Sequence, residues 1–211
     1  MARILITSGP TRQYIDPVRY LTNASSGRMG KALAEAALEL GHQVTIISGP
    51  VDVTYPKAAE VVDVVSTEDM LAAAQKVFPD CDGLIGVAAP SDYRPMMVAP
   101  NKIAKTGEPM VLHLVETADV VATLGATKTR QWLVGFALET EDHRLRALAK
   151  LEKKHCDLMV LNGPEAMHAV TNNVEVIDRD GHVIETLGGP KESVARGIFA
   201  VIQRRLIDRN R

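Results

Sequence analysis

Residues Thr7 to Gly30 read TSGPTRQYIDPVRYLTNASSGRMG. They join an apolar run, ARILIT, to a segment in which Met29, Leu33, Ala36, Ala37 and Leu40 recur at helical spacing before Gly41 stops the pattern. A strand, a connection and a helix in that order open a βαβ unit. This connection is unusually long and polar for one, and rich in Gly, Pro, Arg, Ser and Asn.

The rest of the chain repeats the rhythm. HQVTIIS and EVVDVVS read as further strands. Ser66 with Asp69 suggests a cap for the helix TEDMLAAAQKVF, and DGLIGVAA follows as a fourth strand. Continuous apolar strands alternating with amphipathic helices imply a parallel sheet covered on both faces. Beyond Ala89 about forty residues punctuated by Gly and Pro read as loop, with one short strand near MVLHLV. WLVGFALET then resumes the sheet, EDHRLRALAKLEKK is a charged helix and DLMVLN another buried strand. VEVIDRDGHVIETL holds an Asp-Gly between alternating segments and predicts a hairpin. PKESVARGIFAVIQRRL is the last helix, with Pro190 near its start. The expected fold is α/β, a Rossmann-like parallel sheet with flanking helices plus a small irregular or β extension. Residues 1–211 are read as one domain.

Composition excludes several classes of partner. With 24 Lys and Arg against 26 Asp and Glu, the formal charge of −2 offers no global attraction to nucleic acid or an acidic membrane. Any anion site must be local. Cys81 and Cys156 form no CxxC pair, as expected for buried thiols in a reducing compartment. No apolar run approaches the roughly 18 residues of a membrane span, and MARILITSGP has no signal-peptide pattern. A cytoplasmic location is expected.

In a doubly wound sheet, ligands sit outside the carboxyl ends of the strands. The opening loop occupies such a place, and its end runs directly into a helix N-terminus, whose N–H groups and dipole favour an anion. Ser25 and Ser26 could add hydroxyls, Gly27 allows close backbone approach, and Arg12, Arg19 and Arg28 add charge. The plainer alternative is a solvated cap. Neither GxGxxG nor GxxxxGKS/T is present. GVAAPSDYRP places Asp92 just past a strand ending in small residues, where it suits a hydroxyl or a cation, or simply an Asx turn. NKIAKTGE puts Lys102 and Lys105 on a Gly- and Pro-flanked loop that matters only if it closes over phosphates. The six histidines show no ligand spacing, and no side-chain metal cage is expected.

The ordered combination of ITSGPTR, IDPVRYLTNASSGRMG, ISGPV, AAPSDYRP, NKIAK and LVGFALETED resembles phosphopantothenoylcysteine synthetases. The resemblance covers almost the whole chain, and the decarboxylase to which bacterial members are often fused is not part of it. It implies a ligase that joins 4′-phosphopantothenate to L-cysteine for coenzyme A biosynthesis. The co-substrate is CTP, with ATP as the alternative, and Mg²⁺ is held mainly by the nucleotide phosphates. It also implies a homodimer.

Position by position, the resemblance assigns Asn23 and Lys102 to catalysis, Asn23 at the acyl-cytidylate and Lys102 at the triphosphate. It assigns Gly86, Val87, Ala88, Asp92, Lys102, Thr117, Ala118, Asp119, Val120, Phe136, Lys150 and Lys154 to the nucleotide, and Arg19, Asn23 and Ser25 to the substrate. Ala104 stands where the family loop KIKK has a lysine, Pro90-Ser91 replaces Val-Ala, Thr117-Ala118 replaces Asn-Pro, and Asn162-Gly163 replaces Asn-Asp. Two other readings are a non-catalytic nucleotide-binding protein on this scaffold and an NAD(P)-dependent oxidoreductase. The missing GxGxxG opposes the latter.

Overall fold

The computed structural model describes residues 1–138, 143–162 and 171–208. The end of the expected LVGFALETED segment and Gly163 lie outside those residues. The strands are β1 Arg3–Ser8, β2 Arg12–Tyr14, β3 Tyr20–Thr22, β4 Gln43–Ser48, β5 Glu60–Asp63, β6 Gly83–Gly86, β7 Tyr93–Pro95, β8 Leu114–Glu116, β9 Trp132–Leu138, β10 Leu158–Asn162, β11 Thr171–Asp178 and β12 Val183–Pro190. The helices are α1 Arg28–Glu39, α2 Thr67–Val77, α3 Val120–Thr127, α4 His143–Lys153 and α5 Lys191–Ile202.

Eight strands form one sheet in the order β12, β11, β10, β9, β6, β1, β4, β5. Pairing is parallel from β10 through to β5 and antiparallel at β11 and β12. Ile6 and Ile46 on one side of β1 and β4 pack with Leu33, Ala37, Ile198 and Phe199 of α1 and α5. The other side carries Leu5 and Leu84 against Met70, Leu124, Ala147 and Leu151 of α2, α3 and α4. Burial on both faces is why these strands read as continuous apolar runs rather than alternating ones.

Ser66 and Asp69 form the expected reciprocal capping box of α2, and the Asp-Gly turn joins β11 to β12 with Gly181 at φ 79°. Several boundaries differ from expectation. EVVDVVS leaves the sheet at Asp63, and DGLIGVAA leaves it at Gly86. The opening connection contains the small ribbon β2–β3, steadied by Arg12 stacked 4.6 Å over the Tyr20 ring. The region expected to be mostly loop with one short strand near MVLHLV has that strand as β8, and adds its partner β7 and helix α3, whose first turn is capped by Asp119 accepting from the Ala122 N–H. Among the described residues no helix is long and apolar enough to cross a membrane.

Candidate active site

From β1 the chain winds outward through β4 to β5. It then returns to β6 on the other side of β1 and continues through β9 to β10. The connections after β1 and β6 therefore diverge at a topological switch point, the usual ligand crevice of such sheets. The two connections run together before they part: the Val87 N–H donates to the Thr7 carbonyl at 3.2 Å and the Ala89 N–H to the Gly9 carbonyl at 2.9 Å.

A buried polar hub fixes this corner. The hydroxyls of Thr11 and Thr67 lie 2.9 Å apart, and the Thr11 hydroxyl accepts the Ser91 N–H at 2.8 Å. The Ser91 carbonyl takes the hydroxyls of Thr67 at 3.1 Å and Thr117 at 2.7 Å. One cluster thus ties the opening loop, the start of α2, the β6 connection and the approach to α3. Thr11, Thr67 and Ser91 are all buried, so these bonds are sheltered from water.

Beside the hub lies a cleft of about 350 Å³. Nine residues expected at a nucleotide line it: Gly86, Ala88, Asp92, Thr117, Ala118, Asp119, Val120, Phe136 and Lys154. Thr7, Pro90, Tyr93, Glu116, Val121, Gly135 and Lys153 complete the wall without having been anticipated. Of these, Gly135 had a signal, since a glycine inside a strand marks close approach of a ligand or another backbone, and it lies level with Gly86 across β6 and β9. Lys153 and Glu116 had none.

Val87 turns away from the cleft to pack against the core beneath α1. Lys150 lies in the last turn of α4, four residues before Lys154 just past the helix end, and outside the cleft wall. Lys154 sits 3.1 Å from Asp119, so one cation and the α3 cap form a pair inside the cleft.

Asn23, on the opening loop, braces the cleft wall without lining it. Its Nδ2 donates to the carbonyls of Ala89 at 3.2 Å and Pro90 at 2.9 Å, bridging the connection whose neighbours Ala88 and Pro90 form the wall. The Ser25 N–H donates back to the Asn23 carbonyl at 2.8 Å, which turns the chain toward α1. Gly27 caps that helix at φ 73°, a left-handed conformation suited to glycine, and no side chain caps the first turn.

Arg19 is engaged within the protein. It pairs with the buried Asp16 at 2.5 Å and donates to the Ile103 carbonyl at 2.7 Å. Burial disfavours the Asp16 charge. The Arg19 guanidinium and the N–H groups of Val18, Arg19 and Ile103 outweigh it and hold the carboxyl well below the usual range. Lys102, next to Ile103, is exposed and outside the cleft wall.

The architecture and the cleft define an α/β protein with a ligand crevice at the switch point of its sheet. A family profile described as "DNA/pantothenate metabolism flavoprotein C-terminal domain" matches residues 1–206, and the chain belongs to that family. It is 45% identical over 184 residues to the coenzyme A biosynthesis bifunctional protein CoaBC of Bacillus subtilis (strain 168), covering 85% of this chain and 45% of that protein. The Escherichia coli (strain K12) protein of the same name is 37% identical over 216 residues, covering 99% and 53%. The chain thus spans about half the length of the curated relatives it matches.

Among solved structures, the crystallised C-terminal domain of CoaBC superposes with a TM-score of 0.82 at 40% identity, covering 98% of this chain and 96% of that one. Cab2 in complex with phosphopantothenate-cysteine superposes at 0.84 with 15% identity, covering 98% and 87%, a likeness of fold.

Proposed function

We propose that the chain is a phosphopantothenate–cysteine ligase that activates its acid with CTP. The observation that carries this reading is the convergence of nine anticipated nucleotide residues, Phe136 and Lys154 among them, on one cleft at the switch point. The homologous CoaBC proteins are named for coenzyme A biosynthesis, which fits the same reading.

In the proposed reaction a carboxylate oxygen of 4′-phosphopantothenate attacks the α-phosphorus of CTP and pyrophosphate leaves. The cysteine amine then attacks the acyl carbon, loses a proton, and CMP departs. Such chemistry asks the protein mainly to hold anions together and to stabilise developing charge. Gly86 and Ala88 let the nucleotide approach the backbone, Phe136 offers a face to the base, and Lys153 and Lys154 offer positive charge to phosphates. Asn23 is assigned to orient the acyl-cytidylate, Lys102 to reach the triphosphate, and Ser25 to supply a hydroxyl to the substrate. Asp92 and Glu116 present hard oxygen donors on the cleft wall, which suits Mg²⁺ carried by nucleotide phosphates. That ion would neutralise phosphate charge.

The working unit is proposed to be a cytoplasmic homodimer. Met96, Met97 and Val111 are 65%, 84% and 76% exposed around the β7–β8 ribbon, an apolar surface that a second copy would cover. Light scattering after gel filtration tests this, and a monomer at working concentration overturns it.

The deciding assay is pyrophosphate release with phosphopantothenate and cysteine supplied or omitted. Release that needs phosphopantothenate supports the ligase, and nucleotide binding without turnover overturns it. Comparing kcat/KM for CTP and ATP at fixed Mg²⁺ then settles the base, with faster use of ATP overturning the CTP assignment.

A further inference from the structure

We propose that Asp16 is a positioning residue for Lys102, acting through a two-sided clamp on the backbone of Ile103. The inference rests on the reading of Lys102 as a ligand of the nucleotide phosphates.

Asp16 follows β2 and its side chain is fully buried. One carboxylate oxygen accepts the N–H groups of Val18 and Arg19, each at 2.8 Å, which closes the turn toward β3. The other accepts Arg19 Nε at 2.9 Å, an Arg19 terminal nitrogen at 2.5 Å and the Ile103 N–H at 3.2 Å. The Arg19 terminal nitrogen also donates to the Ile103 carbonyl at 2.7 Å. Both backbone polar groups of Ile103 are therefore held by side chains more than eighty residues away in sequence. A second tie, from the Ala99 N–H to the Ile15 carbonyl at 2.9 Å, fixes the start of the same loop.

The closed turn and Arg19 would already serve the buried carboxylate, so the turn itself does not require the reach to Ile103. A surface loop with few apolar anchors would otherwise wander. Clamped at Ala99 and Ile103, the loop presents Lys102 from a fixed base, and freedom to move is left to the residues after Ile103. Lys102 thereby shares one frame with Asn23, since both are referenced to the connection that carries β2 and β3. Closure of the NKIAKTGE loop over phosphates then narrows to a tip beyond Ile103. Arg19, in this arrangement, acts on the loop rather than directly on the substrate.

The test combines Asp16→Asn, Lys102→Ala and the double variant, measured for kcat, for KM of both CTP and phosphopantothenate, and for exchange of the Ile103 amide. Asp16→Asn is expected to raise the nucleotide KM about 10–10²-fold, with little change in the phosphopantothenate KM. Ile103 amide exchange should quicken, and the double variant should be no worse than Lys102→Ala alone. A normal nucleotide KM in Lys102→Ala overturns the role of Lys102 itself. With Lys102→Ala impaired, an unchanged nucleotide KM in Asp16→Asn, or losses that simply add in the double variant, overturn the clamp. Should Asp16→Asn not fold, Arg19→Lys takes its place under the same criteria: it keeps a cation for Asp16 but not the fork that also reaches the Ile103 carbonyl.

Discussion

Lys154 and Asp119 face each other at 3.1 Å within the cleft, with side chains 21% and 36% exposed, so this cation of the cleft wall already has a counterion. A nucleotide bound as proposed would have to draw Lys154 from it. Asp119→Asn should keep the α3 cap, because asparagine caps as well as aspartate, while releasing the lysine. A partly exposed pair of this kind is worth at most about 1 kcal/mol, which sets the expected fall in nucleotide KM at up to about fivefold. Lys154→Ala should raise it. Steady-state titration of CTP with both variants checks the pair, and a higher KM in Asp119→Asn would remove the counterion argument.

The position of Lys154 depends on Gly125 of α3. A Cβ added there would lie 2.2 Å from the Lys154 carbonyl oxygen, so the helix and the end of α4 must separate. Gly125→Ala is expected to cost about 1–3 kcal/mol of stability and to raise the nucleotide KM together with it. Thermal unfolding and CTP titration on one preparation measure both. An unchanged melting temperature would mean that the two segments separate without cost.

Asn23→Asp should nearly abolish turnover while leaving the fold intact. The amide that now donates to the Ala89 and Pro90 carbonyls would become a carboxylate pointed at the same two acceptors. Loss of a preorganised donor beside developing charge typically costs about 10²–10³ in rate. Asn23 is exposed, so the melting temperature should move little. Turnover within a few-fold of the unaltered protein would take Asn23 out of the mechanism.

Much of this corner was readable in advance, and the reasons differ from residue to residue. The parallel sheet followed from continuous apolar runs, and α2 from a capping box that the backbone obeys. Helix α3 was missed because VVATLGAT is short and apolar without a polar stripe, so no helical period stands out. Strands β2, β3 and β7 have three residues each, too brief for a period of two to register, whereas β8 lies at the end of the MVLHLV stretch where a short strand was expected. The grip of Asp16 on Ile103 is a contact to a backbone N–H, which carries no sequence signal. Arg12 and Arg19, expected to add charge for an anion, are engaged by the Tyr20 ring and by Asp16.

Neither thiol should react while the protein is folded. Burial pushes Cys81 up to about 11 and Cys156 up to about 12, so both stay protonated at neutral pH. A maleimide at pH 7.5 should label them only after denaturation. In the unfolded chain the thiols ionise near 9.0, so their contribution to stability is whole below that pH and is lost as the pH climbs toward 11 and 12. Denaturant titrations across that range should show a steeper decline than the same series for Cys81→Ala/Cys156→Ala. Equal slopes would count against burial as the cause.

The packing of α5 against α1, sealed at the surface by Arg196 and Glu39 at 3.1 Å, bears on how the chain is made. Leu33 and Ala37 are made more than 150 residues before the Ile198 and Phe199 that cover the same face. Until then one side of β1 and β4 lacks its roof, and a ribosome-bound nascent chain has apolar surface to hide. Closure of that face therefore waits for α5 and has a large loop to close, and it is the stage at which chaperone dependence and aggregation should be greatest.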